Sequence, residues 1–203
     1  MLDSFANRLL EKPLRWMAKG FVQLGIRPDQ MTLAGFIIGM FAIPSLATEN
    51  YTLALLLIAL NRLADGMDGA IARLTSTSDA GGFLDISLDF IFYSSVPLGF
   101  ILADPLQNAA AGGVLMLSFV GTGVSFLTFA IFAEKNKIKN VSFPNKSFHY
   151  IGGLMEGSET QIFFIVLCVF PHWFPLLAYF FTFLCMVTAS SRIYSSYKLL
   201  KIS

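Results

Sequence analysis

The chain has 203 residues, of which 55% are apolar and only 13% charged, with 21 Phe and a formal net charge of +1; its mean hydropathy is +0.67. A water-soluble domain carries about twice that charged fraction, so an ordinary soluble enzyme is excluded. A near-neutral chain with long uncharged runs also offers no basic surface for nucleic acid.

Residues 1–27, "MLDSFANRLLEKPLRWMAKGFVQLGIR", mix Leu9, Leu10, Leu14, Trp16 and Met17 with Arg8, Lys12, Arg15 and Lys19. Such a segment predicts an amphipathic helix lying in the membrane interface and bent at Pro13. It lacks the continuous apolar core of a cleavable signal peptide. Beyond it, apolar runs long enough to cross hydrocarbon (about 20 residues each) predict six transmembrane helices. They cover about 31–48, from 51 into the acidic stretch that follows, 82–102, 109–132, 148–170 and 174–194. The expected fold is an all-α membrane protein forming one domain over 1–203, with 28–203 as the six-helix bundle. Cys168 and Cys185 fall inside apolar runs, as small buried side chains rather than a disulfide framework.

The basic residues test that count. Six spans place all 14 on one side: those of the N-terminal segment, Arg62 and Arg73, Lys135, Lys137, Lys139 and Lys146, and Arg192, Lys198 and Lys201. The opposite loops, "TEN", "ADPLQN" and "PHW", have none. By the positive-inside rule the basic side and both termini are cytoplasmic.

The second and third spans contain "NRLADGMDGAIARLTSTSDAGGFLDISLDF", with Asp65, Asp68, Asp85 and Asp89 in otherwise apolar sequence. On helices, Asp65 and Asp68 share a face, and so do Asp85 and Asp89. The polar, Gly-rich connection turns the chain back, which brings both pairs together in the cytoplasmic halves of antiparallel neighbours. Carboxylates packed this closely repel one another and are costly to desolvate. A divalent cation resolves that cost. An oxygen-only set without His or Cys suits Mg²⁺ or Mn²⁺, with Ca²⁺ also admissible, and two ions sharing carboxylates suit a phosphate or diphosphate substrate. Gly66, Gly69, Gly81 and Gly82 cluster around the acids, where missing side chains admit a close neighbour.

The pattern Asp65-x2-Asp68-Gly69-x2-Ala72-Arg73-x7-Gly81-x3-Asp85-x3-Asp89 resembles the signature of the CDP-alcohol phosphatidyltransferases at each of its fixed positions. "GIRPDQMT", with Pro28 and Thr32, is similar to the family's lead into its first span, although Asp29 stands where Asn is common. The likeness covers most of the chain and weakens after residue 133. It implies transfer of a phosphatidyl group from CDP-diacylglycerol to an alcohol acceptor, with release of CMP. It also implies metal ligands at Asp65, Asp68, Asp85 and Asp89, two ions per site, and Asp89 as general base. Thr32, Asp65, Gly69, Ala72 and Arg73 are the implied CDP-binding residues. A homodimer in the inner membrane of a bacterium, its active site facing the cytoplasm, follows from the same resemblance. Gly121 and Ser125, four apart on the fourth span, would permit close helix contact.

Two features could read the acceptor. Lys146 closes a lysine-bearing loop against the fifth span, and Arg192 ends the sixth on the same side; both suit a phosphorylated alcohol such as glycerol 3-phosphate. Glu156 and Glu159, expected two to three turns into the fifth span, would line a polar cavity, where they orient the hydroxyls of a polyol or form ion pairs with Arg62, Arg73 or Lys146. Transfer onto phosphatidylglycerol to give cardiolipin is a variant of the same reaction. The rival from another class is a divalent-cation transporter. It would place its acids near the midplane and show repeated halves, and no internal repeat is evident.

Overall fold

The computed structural model describes residues 2–137 and 153–202, with side chains described from residue 10 to 137 and from 153 to 201. All regular structure in them is helical: α1 (Leu2–Gln23), α2 (Pro28–Met40), α3 (Ala42–Ala47), α4 (Tyr51–Leu74), α5 (Asp79–Ala103), α6 (Pro105–Lys135), α7 (Gly157–Val169), a 3₁₀ turn (Pro171–Trp173) and α8 (Phe174–Ile202).

The helix boundaries follow local chemistry. Asn50 Oδ1 accepts from Leu53 N at the start of α4, Ser78 Oγ accepts from Gly81 N at the start of α5, and Asp104 Oδ1 accepts from Gln107 N at the start of α6. Each satisfies an amide that its helix leaves unpaired. Pro28 and Pro105 stand in the first turns of α2 and α6, where a missing N–H costs nothing. The first expected span is a broken rod. Pro44 cannot donate to Met40, so α2 stops and α3 restarts after Phe41.

The core holds Phe92, Phe100, Phe164 and Phe174, each no more than 1% exposed. Phe100 stacks on Phe174 at 4.7 Å and Phe163 on Phe181 at 4.0 Å. Outside that core the helices stay apolar: Phe180 and Phe183 on α8 and Leu117 and Ile131 on α6 are all more than 60% exposed. An apolar surface of this extent requires lipid rather than water. The chain is therefore an integral membrane protein.

Four helical stretches are long and apolar enough to cross a bilayer: Pro28–Ala47, Asp79–Ala103, Pro105–Lys135 and Pro171–Lys201. They match four of the six expected spans to within a turn or two. The second expected span is α4, whose 24 residues extend about 36 Å; its length suffices, but from its midpoint on it carries Arg62, Asp65, Asp68 and Arg73. The fifth departs most from expectation. Residues 148–152 lie outside the described set, and α7 has 13 residues, about 20 Å against the roughly 30 Å of a hydrocarbon core. Glu156 and Glu159 are thus not deep in a span. Glu156 is the residue preceding α7, and Glu159 lies in its first turn. The reason is local: Gly153 N donates to Glu156 Oε1 and Met155 N donates to Thr188 Oγ1 of α8, which pins 153–156 in a non-helical path.

Helix α1 runs through Pro13 without interruption. Its inner face, Leu14, Ala18 and Phe21, packs on Met67, Ala70 and Ile71 of α4, directly behind the aspartates, while Trp16 is 78% exposed. Helices α2 and α4 pack closely. A Cβ on Gly35 would come within 2.5 Å of the Ala64 Cβ, so only glycine permits this approach. In α6 a Cβ on Gly121 would meet the Ala189 Cβ of α8 at 3.8 Å, and Ser125 is buried. Those small residues serve packing within the chain.

Candidate functional site

The close α2–α4 packing sets the site. Thr32 Oγ1, on α2, donates to Asp68 Oδ2, on α4, at 2.6 Å, and Asp68 is only 5% exposed. One turn earlier on α4, Asp65 forms an ion pair with Arg62. Helix α5 returns antiparallel and adds Asp85, so that Asp65, Asp68 and Asp85 each offer a carboxylate oxygen within 4.8 Å of the other two. The sequence pairing therefore holds in three dimensions. Asp89 joins the group one turn further along α5, with the Tyr93 hydroxyl in hydrogen-bonding reach of its carboxylate.

Two spaces share walls at these acids. The outer one is a cleft of about 640 Å³ between the α1–α2 turn, the end of α4 and the start of α5. Thr32, Gly69, Ala72 and Arg73 line it, as do Asp68 and Asp85. A Cβ on Gly69 would sit 3.3 Å from Arg73 Nη1, so the bare glycine lets the guanidinium fold back over the helix. The inner space is a chamber of about 10 Å³ lined by Asp65, Asp68, Asp85 and Asp89, with Thr32 and Asn61. Asp68, Asp85 and Thr32 border both spaces; Asp65 and Asp89 border only the chamber. The expected CDP-binding residues other than Asp65 therefore share the cleft, and the four aspartates share the chamber.

The donor set fits a hard divalent cation. Its atoms are all oxygen, those of Asp65, Asp68 and Asp85 lie within one coordination sphere of each other, and Arg62, the base paired with Asp65, is too little charge to balance the four carboxylates that line the chamber.

A third cavity, of about 170 Å³, lies between α5, α6, α7 and α8. Tyr93, Thr122, Thr160, Glu156 and Arg192 line it. Arg192 is 5% exposed; its Nη1 donates to the Thr122 carbonyl at 3.0 Å and its guanidinium lies 5.6 Å over the Phe126 ring. Two of the acceptor candidates, Glu156 and Arg192, thus meet across more than 35 residues of sequence. Glu159 is nearby in the first turn of α7 but does not line this cavity, and Lys146 lies outside the described residues. Sequence reasoning missed Arg27 and the hydroxyl run at 75–78 in the cleft, and Asn61 in the chamber. "TSTS" beside the motif was a usable signal for the former, and the i, i+4 spacing of Asn61 to Asp65 for the latter.

A membrane-embedded helical bundle with an acid-lined cleft at one end defines the class of protein. The chain belongs to the CDP-alcohol phosphatidyltransferase family, whose pattern matches residues 26–191, and it is accordingly a phosphatidyl-transferring enzyme of phospholipid biosynthesis. It is 51% identical over 201 residues, 99% of this chain and 98% of the relative, to inner membrane protein YnjF of Escherichia coli. It is 36% identical over 94 residues, 46% of this chain and 50% of the relative, to archaetidylinositol phosphate synthase of Pyrococcus horikoshii. Its fold is similar to phosphatidylinositol phosphate synthase of Mycobacterium tuberculosis, seen with CDP-DAG bound, with a TM-score of 0.73 at 18% identity over 91% of this chain and 93% of that one. A second structure of that synthase holds manganese and citrate.

Proposed function

We propose that the chain transfers the phosphatidyl group of CDP-diacylglycerol to a small alcohol and releases CMP. The observation that carries this is the meeting of Asp65, Asp68 and Asp85 at the base of a cleft lined by Thr32, Gly69 and Arg73. Its 640 Å³ is in the range of pockets that enclose a nucleotide-sized ligand. The four aspartates would hold Mg²⁺ or Mn²⁺, two ions per site, and manganese in the M. tuberculosis synthase supports divalent metal use. Bound there, the metal neutralises charge on the diphosphate and on the leaving phosphate of CMP.

The remaining steps belong to protein residues. Thr32 fixes the Asp68 carboxylate, and Gly69, Ala72 and Arg73 hold the nucleotide with Asp65. The acceptor oxygen attacks the lipid-bearing phosphorus, the bond from that phosphorus to the CMP oxygen breaks, and the hydroxyl proton passes to Asp89. The acceptor is glycerol 3-phosphate or a similar small phosphorylated or polyol alcohol, read by Arg192 and Glu156 of the third cavity with Glu159 and Lys146. Phosphatidylglycerol, giving cardiolipin, is the variant. Divalent-cation transport fits less well, because the acid cluster opens into a cleft at one end of the bundle. A lysine contacting an acceptor phosphate acts mainly on binding. Lys146→Ala is expected to raise the KM for the alcohol more than that for the CDP-lipid in steady-state kinetics; equal effects would return Lys146 to a topological role.

The proposal includes a single domain with six crossings, α1 in the interface, both termini and the cleft facing the cytoplasm, and residence in a bacterial inner membrane. The uneven distribution of Lys and Arg supports the orientation. Single cysteines at Glu134 and Asp104, in a background lacking Cys168 and Cys185, are expected to react with impermeant reagent from opposite sides. Reaction from one side would sink the orientation. A homodimer rests on the family resemblance, with a two-copy mass in native lipid discs as its check.

A further inference from the structure

Asn61 follows the run "YTLALLLIAL", about 15 Å into α4, and is 6% exposed. A carboxamide buried there must satisfy its polar atoms inside the bundle. Its Nδ2 donates to the Gly35 carbonyl of α2 at 3.1 Å. A carbonyl can only accept, so the nitrogen faces α2 and the amide oxygen points away from it. Helix α2 also clamps the side chain, since a Cβ on Gly39 would lie 3.0 Å from both Asn61 Cβ and Cγ.

Asn61 lines the inner chamber. Asn61, Asp65 and Asp89 border that chamber and not the outer cleft. Its volume of about 10 Å³ is room for one water-sized occupant. An amide adds an oxygen without adding charge. A fifth carboxylate would worsen the repulsion among four, and an aliphatic group would leave one wall with nothing to offer a cation.

We propose that Asn61 is a further oxygen donor of the site, its amide oxygen coordinating the divalent cation held in the inner chamber. The inference rests on the proposed metal site and adds a residue outside the aspartate signature.

Mn²⁺ binding to the full chain in lipid nanodiscs tests it without turnover. Protein carrying ¹³C in its asparagine side-chain carbonyls is expected to show a ¹³C coupling in the electron–nuclear double resonance of bound Mn²⁺. Asn61→Asp should abolish that coupling while Mn²⁺ still binds. Asn61→Leu should weaken Mn²⁺ affinity by about 10- to 100-fold, the range for losing a metal-supporting group. Bound Mn²⁺ with no asparagine coupling in the unsubstituted protein overturns the role of Asn61 and leaves the metal site standing. Unsubstituted protein that binds no Mn²⁺ overturns both. The coupling is read in the unsubstituted chain, so the test does not depend on the Leu variant folding.

Discussion

Replacing Asp89 by Asn is expected to slow phosphatidyl transfer by about 10²- to 10⁴-fold, the usual contribution of a general base. The side chain keeps its shape, and its amide oxygen can still face the chamber it lines with Asp65. What it loses is the capacity to accept the hydroxyl proton. Asp68 and Asp85, which border both the chamber and the cleft, are untouched, so binding of CDP-diacylglycerol in the presence of Mg²⁺ is expected to survive. Parallel measurement of single-turnover rate and CDP-lipid affinity separates these effects. Near-normal turnover would remove Asp89 from the base role. A loss of affinity as large as that of an Asp68 variant would make it chiefly a metal ligand.

Asp68→Asn should fail differently. Asp68 is the most enclosed of the four acids, it borders both spaces, and it alone among the described acids receives the Thr32 hydroxyl. An amide can still accept that bond, so the helices stay together, but the charge facing the cation is gone. Losing a group that merely supports a ligand costs about 10- to 100-fold in metal affinity, and loss of the ligand charge itself should cost at least that. Calorimetric titration of CDP into the Mn²⁺-loaded variant is expected to show metal-dependent nucleotide affinity reduced to the same degree. Removing Mn²⁺ with EDTA should bring the unsubstituted protein down to the variant's level. Full Mn²⁺-dependent CDP binding by Asp68→Asn would remove Asp68 from the metal site.

The aspartates were legible in the sequence because their spacing is a helical property. Residues three and four apart share a face whatever surrounds them, and the turn at 75–78 leaves α5 little choice but to return beside α4. The acceptor residues were less legible. Glu156 and Arg192 line one cavity because α5 to α8 close around it, a tertiary fact that local pattern does not carry. Glu156 was assigned to the wrong depth because hydropathy counts apolar residues and ignores hydrogen bonds. The segment 153–156 is apolar enough to continue a helix, yet its amides bond to Glu156 and Thr188 instead. Asn61 was overlooked for the opposite reason: one amide at the end of an apolar run resembles a boundary residue until Gly35 is seen beside it. The break at Phe41 was hidden because α2 and α3 together still have the length and hydropathy of one span.

Release of CMP from labelled CDP-diacylglycerol by the purified chain in nanodiscs, across a panel of glycerol 3-phosphate, free polyols and phosphatidylglycerol, tests the central claim most directly. CMP is expected to appear in step with a new labelled phospholipid, only when a divalent cation and an accepted alcohol are both present. No metal-dependent CMP release with any acceptor, accompanied by movement of Mn²⁺ across a sealed vesicle containing the protein, would contradict the transferase reading and favour cation transport.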